Sequence, residues 1–482
     1  MSDIVLNEIE LTTEDIQTIS SSQAWHYRVL PGKFNGNTQI IYTAKRDDYQ
    51  SLAEELSVVI DRDIVIKCTE ESIISRGLAR YYGRKAEGVT IIEGIKEDDF
   101  LMQLIDEAAR VKCSDIHFEK YDSKCRVRMR IDGKLIERYI IEKNNYPTLI
   151  NKIKILSNLD IAERRLPQAG RLSFGESNFK IDIRVSILPT LHGEKIVLRL
   201  LSNDASNISI SNLGFSDKQI TEYLQAVQKP NGIILISGPT GSGKTTTLYA
   251  TLKLLNKESL NILTVEDPVE YTLDGINQVH VKESIGLTFA ETLRTFLRQD
   301  PDIIMLGEIR DNETAQMAIR AALTGHLVLS TIHTNSAWGI VSRLKDMGVP
   351  AFLLTNTLNM AMAQRLVRVL CPHCKKEELF SSEFFPTGYN APYIPKTHHT
   401  SVGCSHCYYT GYKGRKAVYE MLSIDLSMEK YIKNDNEDIN KYFTENRKMR
   451  LSDAAFDLFC KGETSIEEVY PIMLDQTNNI SR

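Results

Sequence analysis

Residues 232–247 read GIILISGPTGSGKTTT, an apolar run that passes directly into a glycine-rich loop and then a lysine and threonines. Few folds accommodate such a stretch. A continuous Ile/Leu run of strand length suits a strand buried on both faces, the usual setting of a parallel sheet covered by helices. The loop fits GxxxxGK[ST]: its glycines let backbone N–H groups close on phosphate oxygens, and the helix that follows adds the favourable end of its dipole. The candidate nucleotide-binding residues are therefore Gly238, Pro239, Thr240, Gly241, Ser242, Gly243, Lys244, Thr245 and Thr246. Lys244 is expected to reach the β- and γ-phosphates of ATP, and the Thr245 hydroxyl to hold Mg2+. A chance match in a glycine-rich turn would not also have a strand before it and a helix after it.

Strand and helix signals alternate from about 215 onward: NILTVED, IIMLGE and HLVLSTIH are short apolar strands between helical patterns, as in an α/β domain. Upstream, from about 113 to 200, CRVRMRID, KLIERYII, KIDIRVSIL and EKIVLRLL are strand-like, and Asp132-Gly133 is a hairpin turn. A helix opening at Asp98-Asp99 precedes them, with Phe100, Leu101, Leu104, Ile105, Ala108 and Ala109 on a 3.6-residue period. Residues 1 to about 90 mix strand-like TQIIYT and DIVIKC with helix-like YQSLAEEL and ESIISRGLARYY, giving a small α/β domain without a catalytic signal. The polar stretches GRKAEGVTIIEGIKEDD and LSNDASNISISNLG are linkers, and the tail from about 425 is charged and helical in pattern. At 482 residues the chain exceeds one ordinary core.

A formal net charge of −5 argues against a whole-chain nucleic-acid binder. No apolar run is long enough to span a bilayer, and the acidic start MSDIVLNEIELTTEDIQ lacks the pattern of a secretory signal. A cytoplasmic location with reduced thiols is therefore expected. Cys68, Cys113, Cys125 and Cys460 are scattered; Cys371-Pro372-His373-Cys374 and Cys404-Ser405-His406-Cys407 are paired. Two CxxC pairs suit a tetrahedral structural Zn2+ site at Cys371, Cys374, Cys404 and Cys407, with His373 and His406 as substitute ligands. Two carboxylates end apolar strands, Glu266 in LTVEDPVE and Glu308 in IIMLGE, where doubly wound sheets bind ligands. Phosphoryl transfer to water needs one acidic group for the metal and one to orient the nucleophile; which glutamate takes which part is open. His326 and His333 bracket the strand LVLSTI.

Together these residues resemble the GspE/PilB family of type II secretion and type IV pilus assembly ATPases. The likeness runs from about 98 to 425 through SDIHFE, VRMRIDG, RLPQAGRLSF, DIRVSILPT, GEKIVLRLL, TVEDPVEY, the span 286–315, TGHLVLSTIHTN and QRLVRVLCPHC with GCSHCYYTGYKGR. The resemblance implies an N-terminal partner-docking domain (1–90), a PAS-like domain (98–205) and a RecA-like P-loop ATPase domain (215–425). It also implies a tetracysteine zinc insertion (368–418) and a helical C-terminal region (426–482). It further implies a cytoplasmic homo-hexamer, peripheral to the inner membrane through a polytopic platform protein and a bitopic protein with a cytoplasmic docking domain, with no nucleic acid as partner. Arg171 and Arg184, and less directly Arg199, match the arginines that reach the γ-phosphate; Arg294, Arg298 and Arg310 flank the second acidic strand. By the same likeness Glu266 polarises water, Glu308 binds Mg2+ and His326 senses the γ-phosphate. The zinc insertion, the extra N-terminal domain and the lack of an AIRAR sequence favour assembly over retraction. The single short N-terminal domain favours type II secretion over pilus extension, and no RLG-started repeat supports cyclic di-GMP binding. A RecA-like nucleic-acid translocase is the alternative reading.

Overall fold

A computed structural model describes residues 11, 15, 18–19, 21–36, 38–44, 49–60, 62–70, 73–74, 77–78, 90–92, 97–175, 181–201, 209–434 and 438–480. Most of ESIISRGLARYY, most of the first expected linker and residues 202–208 of the second lie outside these. The chain divides into two compact units: Met1–Gly94 with Lys124–Val127 and Glu137–Glu142, and the remainder.

The first unit holds α1 (Ser21–Tyr27), β1 (Val29–Phe34), β2 (Thr38–Ala44), α2 (Tyr49–Ile60), β3 (Asp63–Thr69) and β4 (Thr90–Ile92). β2 pairs antiparallel with β1 and parallel with β3, α2 forming the crossover. Alternation along TQIIYTA buries every second residue, and Ile41 meets Leu30, Leu52 and Leu56 in the core.

In the second unit α3 (Glu97–Arg110) buries Phe100, Leu101, Leu104, Ile105 and Ala108, the stripe its periodicity predicts. There follow β5 (Asp115–Lys120), β6 (Cys125–Ile131), β7 (Lys134–Ile141), α4 (Tyr146–Leu156), β8 (Gln168–Phe174), β9 (Ile181–Thr190) and β10 (Gly193–Leu201), of which the start of β6 and the end of β7 count with the first unit. The β6–β7 turn is Asp132-Gly133, both at positive φ, as an Asp-Gly hairpin requires. β5, β10, β9 and β8 lie side by side, each antiparallel to the next. These elements form a mixed helix-and-antiparallel-sheet region that precedes the phosphate loop in the chain.

Its second part is wound on α5 (Asp217–Val227), β11 (Gly232–Ser237), α6 (Lys244–Leu255), β12 (Ile262–Glu266), β13 (Asn277–His280), α7 (Phe289–Phe296) and β14 (Ile303–Leu306). α8 (Asn312–Leu323), β15 (Leu327–Ile332), α9 (Ala337–Asp346), α10 (Ala351–Thr357), β16 (Leu358–Leu370) and β19 (Tyr412–Ser423) continue it. The strand order is β13-β12-β14-β15-β11-β16-β19, parallel throughout except for β19. β11, β12, β14 and β15 are buried at every position, which is why they read as unbroken apolar runs. Between β16 and β19 an insertion carries a small hairpin, β17 (Lys376–Leu379) and β18 (Thr397–Thr400). Its Phe380 and Phe385 pack on Phe459 of the tail, where α11 (Glu429–Lys433), α12 (Ile439–Glu445), α13 (Leu451–Cys460) and α14 (Ile466–Ile480) follow.

One buried carboxylate ties the tail to the sheet. Glu420 of β19 accepts the N–H of Ala337 at 2.7 Å and of Leu451 at 3.2 Å, so it caps the first turns of α9 and α13 together. Burial, and to a lesser degree the nearby Asp453 carboxylate, push its pKa up; the two N–H donors and Arg450 oppose that. Glu420→Ala leaves both donors unpaired and is expected to cost about 2–4 kcal/mol, while Glu420→Gln, which keeps an acceptor, costs less. The denaturant midpoint of the full chain measures both.

Candidate functional site

Parallel strands send every carboxyl end to one edge, and the loop after β11 lies there. Gly238 (φ 151°) and Gly243 (φ 89°) are where glycine is needed. A Cβ on the first would stand 2.5 Å from the Gln364 carbonyl oxygen and from Ser242 Oγ, and one on the second 2.8 Å from Gln364 Nε2. Gln364 of β16 therefore presses on the loop from below, and its side-chain oxygen accepts the Thr247 hydroxyl at 3.0 Å. Ser242 Oγ is buried with no partner among the described residues, and Thr245 is exposed. Lys244 Nζ donates to the carbonyls of Gly238 (2.7 Å) and Pro239 (3.1 Å), folded back over its own loop. Burial holds its pKa below the usual lysine range, and Arg365 adds to that while Glu308 opposes it.

Glu266, the last residue of β12, is buried in a ring of donors. Tyr249 OH donates to its Oε2, while Thr264 Oγ1 (2.6 Å) and Gln278 Nε2 (3.1 Å) donate to its Oε1. Glu308 sits just past β14 and takes Arg310 on Oε1 and His333 Nε2 on Oε2 at 3.1 Å. Burial would raise its pKa, but the contacts with Arg310 and His333 outweigh it and hold the carboxyl below the usual range. The loop, Glu266, Glu308 and His333 all line one cleft of about 950 Å3, within the size range of a nucleotide-sized ligand site.

The opposite wall of that cleft comes from the antiparallel sheet: Ser114, Asp132, Arg199 and Leu200. Cross-strand register places Arg171, Arg184 and Arg199 in one row over β8, β9 and β10, with Asp115 of β5 at its end. Cross-strand partners point the same way, so three guanidinium groups share a face. Asp115 takes Arg199 (2.9 Å) and Arg130 (3.4 Å), and these contacts with Ser114 hold its carboxyl low against burial. Arg184 bridges to the loop after β12, donating to the Val269 carbonyl (2.7 Å) and to Glu270 (3.2 Å), and its Nε stays buried without a partner. Arg171 is exposed and has no hydrogen-bond or ionic partner among the described residues. A second contact closes the same boundary where Asp132 accepts the Gly414 N–H at 2.7 Å.

His326 is not brought to this cleft. It precedes β15, and since Leu327 pairs with Gly232 while Ile332 pairs with Ser237, it lies at the amino end, a strand length (about 20 Å) from the loop. There its ring bonds the Ala321 carbonyl at 2.8 Å and Thr324 at 3.2 Å. His333, at the other end of the strand, is the histidine in the cleft. Of the flanking arginines, Arg310 reaches the cleft's Glu308, whereas Arg294 is tied to Glu291 and Glu313 and Arg298 to the Arg294 carbonyl.

The four paired cysteines converge. Sγ–Sγ distances are 3.9 Å (Cys371–Cys404), 3.8 Å (Cys374–Cys407) and 3.8 Å (Cys404–Cys407), and all four lie within 4.8 Å of one another. Disulfides would need about 2 Å; thiolates at about 2.3 Å around one tetrahedral ion stand roughly 3.8 Å apart. The N–H groups of Gly403 (to Cys374), Cys404 and Gly411 (both to Cys407) point at sulfurs at 3.2–3.3 Å, the outer shell expected around charged thiolates. His373 and His406 stack on each other at 4.2 Å and are not part of the cluster.

The sequence matches the model of a family described as Type II/IV secretion system protein over residues 93–471. It is 40% identical over 471 residues to "Type II secretion system protein E" of Pseudomonas aeruginosa, covering 96% of this chain and 91% of that one. It is also 40% identical over 448 residues to "Type IV pilus assembly ATPase PilB" of Myxococcus xanthus, covering 87% and 79%. Among solved structures, the ATPase DotB of Legionella pneumophila superposes with a TM-score of 0.60 at 20% identity, covering 81% of this chain and all of that one.

Proposed function

Because this chain belongs to the type II/IV secretion system protein family, we propose that it is the ATPase motor that assembles a pseudopilus for protein secretion or extends a type IV pilus. The observation that carries this reading is the two-walled cleft: a complete phosphate loop on one side and Arg199 of the arginine row on the other, with Arg171 and Arg184 lining a neighbouring cavity that shares Arg199. A site so built binds tightly only when its walls close, so hydrolysis and release drive one wall against the other.

The residues divide as follows. Backbone N–H groups of the loop Gly238–Thr246, all but that of Pro239, which has none, cradle the phosphates, with the buried Ser242 hydroxyl, unpartnered among the described residues, beside them. Lys244 leaves its own loop carbonyls for the β- and γ-phosphates. Thr245 and Glu308 would hold Mg2+, which supplies charge neutralisation for the leaving phosphate. Glu266 orients the attacking water. Arg171 and Arg184 reach the γ-phosphate from the sheet opposite, neutralising charge that develops in the transition state. His333, through Glu308, is better situated than His326 to respond to that phosphate. Cys371, Cys374, Cys404 and Cys407 would hold Zn2+ with no open position, which makes the metal a structural clip. A homo-hexamer anchored through a membrane platform protein and a bitopic docking protein completes the reading; no helix among the described residues is long and apolar enough to cross a membrane.

Three outcomes follow. Lys244→Ala and Glu308→Ala each lower ATP turnover by at least about a hundredfold; wild-type rates in phosphate-release assays would remove the assignment. Arg171→Ala keeps nucleotide affinity within about twofold yet lowers turnover about tenfold or more, read by nucleotide titration beside steady-state rates. Elemental analysis of the purified chain finds about one Zn2+, and Cys374→Ser lowers both metal content and the melting temperature; a metal-free wild-type protein of equal stability would contradict the clip. Strong stimulation of ATPase activity by DNA would favour a nucleic-acid translocase instead.

A further inference from the structure

Tyr249 stands on the buried side of the helix that begins in the phosphate loop, its side chain shut off from solvent. An apolar residue would fill that place, yet the chain spends a hydroxyl there. The hydroxyl's surroundings leave its hydrogen one direction. The backbone N–H of Glu270 approaches the oxygen at 3.4 Å and occupies its acceptor side, so the O–H points at Glu266 Oε2. Gln278 is itself set by the Leu273 N–H, which donates to its Oε1 at 2.7 Å and turns its amide nitrogen toward Glu266 and the Tyr271 carbonyl. Burial and the negative charge of Glu266 push the Tyr249 pKa far above its ordinary value, so the hydroxyl keeps its proton at every working pH.

The carboxylate is then nearly saturated. Each of its oxygens accepts about two hydrogen bonds. Oε1 has both, from Thr264 and Gln278; Oε2 has one, from Tyr249, and Glu266 lines the nucleotide cleft. One acceptor direction is left over for water. We propose that Tyr249 is a positioning residue: it fixes the carboxylate of Glu266 so that a single lone pair of Oε2 faces the attacking water. It would also make that water's place depend on the helix whose first turn holds the phosphates. This rests on the reading of Glu266 as the residue that orients water.

Tyr249→Phe keeps the ring and its edge-on contact with Tyr271 (4.5 Å) while deleting the hydroxyl. In the full-length chain it should lower kcat about 10- to 100-fold, the size of effect a small misplacement of a reacting group has, with KM for ATP and nucleotide affinity changed less than about twofold. Thr264→Val should show the same split, and Thr264→Ser should restore most of the rate. In a Glu266→Gln background Tyr249→Phe should cost nothing more. Wild-type kcat in Tyr249→Phe, or an undiminished loss in the Glu266→Gln background, overturns the proposal. If Glu266→Gln itself turns over normally, the reading of Glu266 falls first. Should Tyr249→Phe fail to fold, the Thr264 pair decides: equal rates for Val and Ser would refute a fixed carboxylate.

Discussion

Six strands that run the same way put all their carboxyl ends on one edge, and the rest of this molecule is arranged around that edge. The phosphate loop, Glu266, Glu308 and His333 are far apart in the chain; they meet because each follows or ends a strand of one parallel sheet. A parallel sheet demands cover on both faces, and the helices that supply it bring their own amino ends to the same edge. Glu420 shows how closely cover and sheet are joined, since one carboxylate serves two of those helices.

Charge on the facing sheet is organised by register. Antiparallel pairing puts Arg171, Arg184 and Arg199 abreast, an arrangement that repels itself unless an anion is near. Asp115 satisfies Arg199 and Glu270 satisfies Arg184. Arg171 keeps no such counter-charge among the described residues. Arg184 is thus already engaged by the loop after β12, while Arg171 stands exposed, so the two arginines differ in how free they are to move.

Much of this was legible in the sequence. Continuous apolar runs marked the buried parallel strands, alternation marked the antiparallel ones, and Asp132-Gly133 marked its turn because few other pairs tolerate two positive φ values. The CxxC pairs foretold a cluster, though the stacking of His373 on His406 depends on the fold of the insertion. The choice between His326 and His333 was also within reach: in a parallel sheet the residue after a strand shares the loop's edge, and the residue before it does not. What no local pattern carries is contact across sequence distance. Gln364 meets the phosphate loop from more than a hundred residues away, and Tyr249 and Gln278 read as an ordinary core aromatic and an ordinary strand-edge amide until β12 and β13 bring Glu266 between them.

β16 is one strand of 13 residues. At Gln364 it touches the phosphate loop, and just beyond its last residue stands Cys371. β11 accompanies it only as far as Ala363; past that point it is paired with β19 alone. The two strands thus leave the body of the sheet as a stiff ribbon, roughly 24 Å from Gln364 to Cys371. A hydrogen-bonded ribbon bends or twists far more readily than it stretches. Here the far end is also clamped: Leu370 is buried and donates its N–H to the Glu463 carbonyl, and Arg368 pairs with Glu468, so the tail opposes such bending and holds the cysteine cluster in register with the phosphate loop.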